Sequence, residues 1–122
     1  MPEFDTDLVR SGKGASIDNP AGHDEANHIK RVAAPGRYNA TVGSEAEAHG
    51  IVRQAMPEGV ELPRGIAGEP YPIPPKGVKK WFQRQPAEPN VGNDLPHFKY
   101  EDWTKGKKGS GGSWGHIFFP ET

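Results

Sequence analysis

Residues 97–119, HFKYEDWTKGKKGSGGSWGHIFF, decide how this chain folds. Two aromatic-rich flanks bracket a stretch made of Thr, Lys, Gly and Ser, and each flank reads with the period of two that belongs to a strand. On the first flank Phe98 and Tyr100 share one face, while His97, Lys99, Glu101 and Trp103 share the other. On the second, Ile117 and Phe119 stand opposite to Trp114, His116 and Phe118. The economical reading is a C-terminal antiparallel hairpin, 97–103 with 114–119, closed by a basic Gly-rich loop over 104–113. Symmetric closure of that loop pairs Trp103 with Trp114 and places Glu101 across from His116 and Lys99 across from Phe118. The face of Phe98, Tyr100, Ile117 and Phe119 then belongs to the core. A slip of one residue would turn His116 inward, so every inference from the second face depends on register.

What covers the apolar face is written upstream. In SEAEAHGIVRQAMPEG, residues 44–59, Ser44 followed three residues later by Glu47 is a capping box, and Glu45 adds negative charge at a helix N-terminus. Ala48, Ile51, Val52 and Ala55 form one apolar stripe, and Pro57 and Gly59 stop the helix, which should run over about 44–56. Gly50 lowers helix propensity by about 1 kcal/mol relative to Ala, which suggests close packing against a sheet. His49 borders the stripe and reads as a half-buried helix histidine. A shorter helix is expected in GHDEANHIKRVAAPG, capped by Asp24 and ended by Pro35 and Gly36. Its His23 and His28 are five apart and fall on different faces, unlike a metal-binding i, i+4 pair.

Elsewhere the chain is irregular. Six prolines within 57–76 favour an extended, polyproline-like wrap. VKKWFQ, 78–83, suits one strand, and QPAEPNVGNDLP reads as loop. Residues 1–22 carry scattered charges without periodicity and read as a flexible N-terminal arm, leaving 23–122 as one small domain. With 16 Gly and 13 Pro in 122 residues and a hydrophobic content of only 33%, short elements on long Pro/Gly-rich loops are expected. The fold class that follows is α+β, a helix packed on a short antiparallel sheet.

The absence of cysteine excludes disulfides, thiolate catalysis and cysteine-ligated zinc, including zinc deaminases of the Cys-containing kind. No apolar run approaches a membrane span, and MPEFDTDLVR lacks the basic-then-apolar start of a signal peptide. Net charge is −1, yet unevenly spread: residues 1–75 hold seven Lys/Arg against eleven Asp/Glu, and 76–122 hold eight against five. The basic part also holds all three Trp. Basic groups interleaved with aromatics suit phosphate contact and base stacking.

On the second hairpin face the expected register gathers His97, Lys99, Glu101 and His116. A carboxylate beside an imidazole, with a second imidazole and an ammonium close by, is what metal-independent RNA cleavage requires. One group takes the proton of the 2′-hydroxyl, another protonates the departing 5′-oxygen, and a cation offsets the charge of the phosphorane. Histidine, titrating near neutrality, can play either proton role. Catalytic candidates are therefore His116, Glu101, His97 and Lys99. For substrate binding the candidates are Lys105, Lys107, Lys108, Ser113 and Trp114, with the N–H groups of 109–112 as a phosphate nest. No cofactor and no metal are called for.

The segments HFKYEDW and GGSWGHIFFPE, preceded by an N-terminal helical part in a cysteine-free chain, resemble the catalytic end of toxin RNases from bacterial polymorphic toxin systems. These are grouped with barnase, EndoU, colicin RNases and RelE. The resemblance spans residues 38–122 and is architectural. It implies an RNA substrate, an immunity protein, often acidic, that occludes the basic cleft, and a delivered effector acting in the cytoplasm of a target cell. Three other readings stay open: a non-catalytic module using Trp81, Phe82, Trp103 and Trp114 to bind nucleic acid or protein, a metal-dependent nuclease built on His97, His116 and Asp102, and an ADP-ribosyltransferase toxin.

Overall fold

The computed structural model describes residues 21–121, so the arm expected over 1–22 lies outside the described residues up to position 20. In chain order the elements are α1 (Ala21–Ala33), β1 (Gly36–Thr41), α2 (Glu45–Ala55), β2 (Val60–Glu61), β3 (Lys80–Gln85), a 3-10 turn (Pro89–Val91), β4 (His97–Asp102) and β5 (Ser113–Phe118). The class is α+β: two helices lie on one face of a five-stranded sheet of order β1-β5-β4-β3-β2.

Helix α2 starts as its sequence dictates. The Ser44 hydroxyl accepts the Glu47 N–H at 3.1 Å, and the Glu47 carboxylate reaches back to the Gly43 N–H, also at 3.1 Å. One of the N–H groups that the first helical turn leaves unsatisfied and the N–H just ahead of the cap are thereby bonded. Ala48, Ile51 and Val52 are buried and join Phe82, Phe98, Tyr100, Ile117 and Phe119 in one core, to which α1 adds Val32. Gly50 faces α1 rather than the sheet: a Cβ there would sit 3.3 Å from a Glu25 carboxylate oxygen. Helix α1 begins at Ala21, before Asp24, and stops ahead of Pro35, whose ring forces the preceding residue out of helical conformation.

The sheet is mixed, not antiparallel throughout. β4 pairs antiparallel with both β3 and β5, whereas β1 runs parallel to β5 and β2 parallel to β3. β4 is thus the one strand of the sheet that opposes the rest, and the chain from β1 through α2 to β2 crosses from one edge of the sheet to the other. β3 occupies 80–85, two residues later than the strand expected at 78–83.

The register between β4 and β5 also differs from symmetric closure. Glu101 pairs with Trp114, Lys99 with His116 and His97 with Phe118. The shift is two residues, so each side chain keeps its face while its cross-strand partner changes. The loop between the strands is cross-tied: the Lys107 carbonyl accepts from the N–H groups of both Ser110 and Gly112, at 2.9 and 3.0 Å. Those two N–H groups are therefore not available to a phosphate nest.

Beyond β2 the Pro-rich segment lies over the sheet face away from the helices. Gly65 N–H donates to the Arg84 carbonyl at 2.8 Å, and the Gln83 amide donates to the carbonyls of Pro63 and Pro72 at 2.9 and 3.0 Å. Tyr71 lies flat on Gly65, where any Cβ would run into its ring. Glycine is required there by the close approach.

Candidate functional site

The sheet face opposite the helices is built by period-two alternation on four strands. Reading across it, β3 contributes Trp81, Gln83 and Gln85, β4 contributes His97, Lys99 and Glu101, β5 contributes Trp114, His116 and Phe118, and β1 contributes Arg37, Asn39 and Thr41. All four catalytic candidates lie here, in two environments.

His97 is fully buried. Its Nδ1 lies 3.0 Å from the Leu95 carbonyl oxygen, and its Nε2 lies 3.2 Å from Gln85 Oε1 and 3.3 Å from Glu88 Oε1. The identity of the Gln85 atom follows from the wider network. Pro63 and Pro72 each present a carbonyl to Gln83, which must answer with its NH₂ group. Gln83 Oε1 then accepts from the Gln85 NH₂ at 2.8 Å, leaving the Gln85 oxygen toward His97. Both ring nitrogens of His97 thus face oxygen acceptors. Burial pulls its pKa below the ordinary value, the Leu95 carbonyl and Glu88 work against burial, and Lys99 and Arg84 reinforce it.

Glu88 was not legible as a site residue. It receives hydrogen bonds from Tyr71 Oη at 2.9 Å and Asn93 Nδ2 at 3.0 Å. Partial burial raises its pKa, but these two donors together with His97 and His116 outweigh burial and hold the carboxyl below its usual range. Burial, and after it the same pairing with Glu88, push the Tyr71 phenol up to about 12.

His116 is the accessible imidazole. Its ring centroid is 5.0 Å from that of His97, edge to face, and 5.7 Å from that of Phe118. Asn39 Oδ1 accepts the His116 backbone N–H at 2.9 Å and lies 3.2 Å from its Nδ1. Because the backbone can only donate, the Asn39 atom is the oxygen, and Nδ1 must carry the ring proton. Nε2 is then an unprotonated nitrogen that no described residue bonds. Burial first, then His97 and Lys99 and, less, Arg37, hold the His116 pKa down to about 4, against the opposing pull of Glu88.

Lys99 and Glu101 sit one step apart on β4, with Nζ and Oε2 3.4 Å from each other. Glu101 also accepts from Trp103 Nε1 at 2.9 Å. Glu101 is therefore committed to Lys99 and Trp103, and Lys99, not Glu101, stands across the ladder from His116.

Among the binding candidates, Ser113 is buried and donates its hydroxyl to the Ala34 carbonyl at 2.7 Å. Trp114 is half-buried, its ring 5.8 Å from that of Trp103. Lys105, Lys107 and Lys108 are exposed on the loop, with Lys108 Nζ 5.6 Å from the centre of the Trp114 ring. Asp102 accepts from the Thr104 N–H at 2.9 Å and lies 3.8 Å from Lys80 Nζ, turned away from the imidazoles. No group of three or more His, Asp or Glu side chains among the described residues is arranged to hold a metal ion. No described helix is long and apolar enough to cross a membrane.

His49 and His28 both have partners away from this face. His49 packs edge-on against Phe82 and Phe98 and bonds Glu61 at 3.0 Å. His28 Nδ1 meets the Tyr38 hydroxyl at 2.6 Å, which ties α1 to β1. No family model, curated protein or solved structure matches the chain.

Proposed function

We propose that this protein is an endoribonuclease that cleaves RNA by transesterification without a metal ion, using His116 as the base. The observation that carries the reading is the state of His116: a half-buried imidazole whose Nδ1 proton is fixed by Asn39 and whose Nε2 no described residue bonds, on a sheet face shared with Trp114 and Lys99. With a pKa near 4 the ring is in its basic form at neutral pH. Such a weak base is slow on its own, but a phosphate docking beside it raises its pKa by the same Coulomb effect by which Lys99 lowers it.

In the proposed reaction His116 Nε2 takes the proton of the 2′-hydroxyl as the 2′-oxygen attacks phosphorus. The bond from phosphorus to the 5′-oxygen then breaks, leaving a 2′,3′-cyclic phosphate. The Lys99 ammonium, held by Glu101, offsets the charge on the phosphorane and gives a proton to the departing 5′-oxygen. His97 does not reach substrate. It acts as a positioning residue, backing His116 edge-on at 5.0 Å between ring centroids. The setting of a delivered toxin with an acidic immunity protein rests on the sequence resemblance alone.

The test is incubation of the purified protein with a fluorescent RNA in EDTA. Expected is cleavage with cyclic phosphate ends that falls about 10² to 10⁴-fold in His116→Ala while the melting curve survives. Parent-rate cleavage by folded His116→Ala and Lys99→Ala would remove the site. A second reading, a non-catalytic RNA-binding module, is favoured by the fact that His97, Lys99 and Glu101 each already have a protein partner. It is the outcome if the intact protein binds RNA and cleaves none.

A further inference from the structure

A second feature lies beyond Trp114 on the same end of the sheet. A groove of about 570 Å³ is lined by Lys79, Trp103, Lys107 and Lys108. We propose that it is a nucleotide subsite, stacking one base of single-stranded RNA on Trp103 and holding the adjoining phosphate with the lysines; the proposal rests on the RNA reading above and gives it a strand path.

The indole is preorganised from three sides. The Trp103 backbone N–H donates to the Lys79 carbonyl at 2.8 Å, which fixes the main chain, and the indole Nε1 donates to Glu101 at 2.9 Å. Gly112 lies against the ring so closely that any side chain there would collide with it, so the ring rests on bare backbone. A ring fixed before binding loses little conformational freedom when a base stacks on it. The loop turn closed on the Lys107 carbonyl sets the backbone from which Lys107 and Lys108 extend.

Charge decides the class of occupant. Three of the four lining residues are lysines and none is acidic, whereas a groove of similar size, about 590 Å³ beside α2, sets Glu45 and Glu61 against Arg64 and Arg84, with Arg84 paired to Glu45. The first groove therefore attracts a ligand that is both anionic and flat. A nucleotide is both, since every base offers a π-face and every linkage a phosphate. Position agrees: Trp114 lies two strand residues, roughly 7 Å, from His116, and Trp103 lies next to Trp114 with 5.8 Å between ring centres. Duplex RNA, with its bases stacked internally, has none to offer.

A single-stranded DNA oligonucleotide separates binding from chemistry, since it lacks the 2′-hydroxyl and survives. Its affinity is measured by anisotropy against salt for the parent, Trp103→Leu, Trp103→Phe and the exposed-lysine double variant Lys79→Ala/Lys107→Ala. Expected is a loss of about tenfold or more in Trp103→Leu, partial retention in Trp103→Phe, and a salt slope shallower by roughly 1.4 in the double variant. Parent-like affinity in the double variant, or tighter binding of duplex or of polyglutamate than of the single strand, overturns the subsite. If RNA is not cleaved but these variants lose the oligonucleotide, the cleavage reading fails and the subsite stands. If RNA is cleaved and the variants bind as the parent does, the reverse holds.

Discussion

Acid should weaken the fold through His116, and the size of the effect can be worked out. The folded-state pKa of His116 is held down to about 4 from an ordinary 6.5, first by burial and then by His97 and Lys99. Above pH 6.5 both folded and unfolded chains carry the ring neutral, and it contributes no pH dependence. Below 6.5 the unfolded chain takes up a proton that the folded chain refuses until about pH 4, so stability falls as pH drops through that window. At pH 5 the gap is about 1.5 units at roughly 1.4 kcal/mol each, or about 2 kcal/mol, and partial exposure of the ring to water reduces it to about 1 kcal/mol. The assay is urea unfolding at pH 7 and pH 5 at fixed ionic strength, for the parent and for His116→Gln, which can still donate to Asn39 Oδ1. His97, whose pKa burial also lowers, is present in both proteins, so the difference reads His116 together with its coupling to His97. The parent should lose about 1 kcal/mol more than the variant between the two pH values. Equal losses would show that His116 titrates normally and that the neutral-base argument is unsound.

Gly115→Ala should destabilise by about 1–3 kcal/mol or more, because its methyl would run into the Tyr38 carbonyl on β1 and lie 3.0 Å from the Tyr100 hydroxyl; an unchanged denaturation midpoint would mean that β1 does not lie against β5 as described. Ser44→Ala removes the acceptor of the Glu47 N–H and should cost about 1 kcal/mol, read as a melting temperature lower by about 4–8 °C. Tyr71→Phe takes one of two side-chain donors from Glu88, so the Glu88 carboxyl should titrate at a higher pH by carbon NMR; an unmoved titration would sever the Pro-rich segment from the site.

The parts of the fold that were legible are those where a local signal and burial agree. Ser44 and Glu47 mark the start of α2, and the alternation around Phe98, Tyr100, Ile117 and Phe119 fixes which face is core. Faces survived where partners did not. A loop of ten residues can close with either register two apart, and both keep the same side chains inward, so periodicity is blind to the choice. β1 escaped notice for another reason: as an edge strand it buries only Tyr38 and Ala40 partly, and Arg37, Asn39 and Thr41 are exposed, so GRYNAT looks like loop. Its parallel union with β5 involves residues some 77 positions apart, which no local pattern encodes.

The site was half legible for the same reason: period two gathered His97, Lys99, Glu101 and His116 on one face, but what distinguishes the two histidines comes from outside the two strands. Asn39 reaches His116 from the edge strand and fixes its tautomer; Gln85, Glu88 and Leu95 enclose His97. The Pro-rich segment enters here as chemistry, not as covering. Its Pro63 and Pro72 carbonyls orient Gln83, Gln83 orients Gln85, and Gln85 presents oxygen to His97, while Tyr71 of the same segment holds Glu88. Proline suits this role because an extended backbone without an N–H to pair leaves its carbonyls pointing outward as acceptors. The surroundings of the buried imidazole on β4 are thereby shaped by Pro63, Tyr71 and Pro72 of this segment. The accessible imidazole on β5 meets that ring in turn, through the 5.0 Å edge contact between the two.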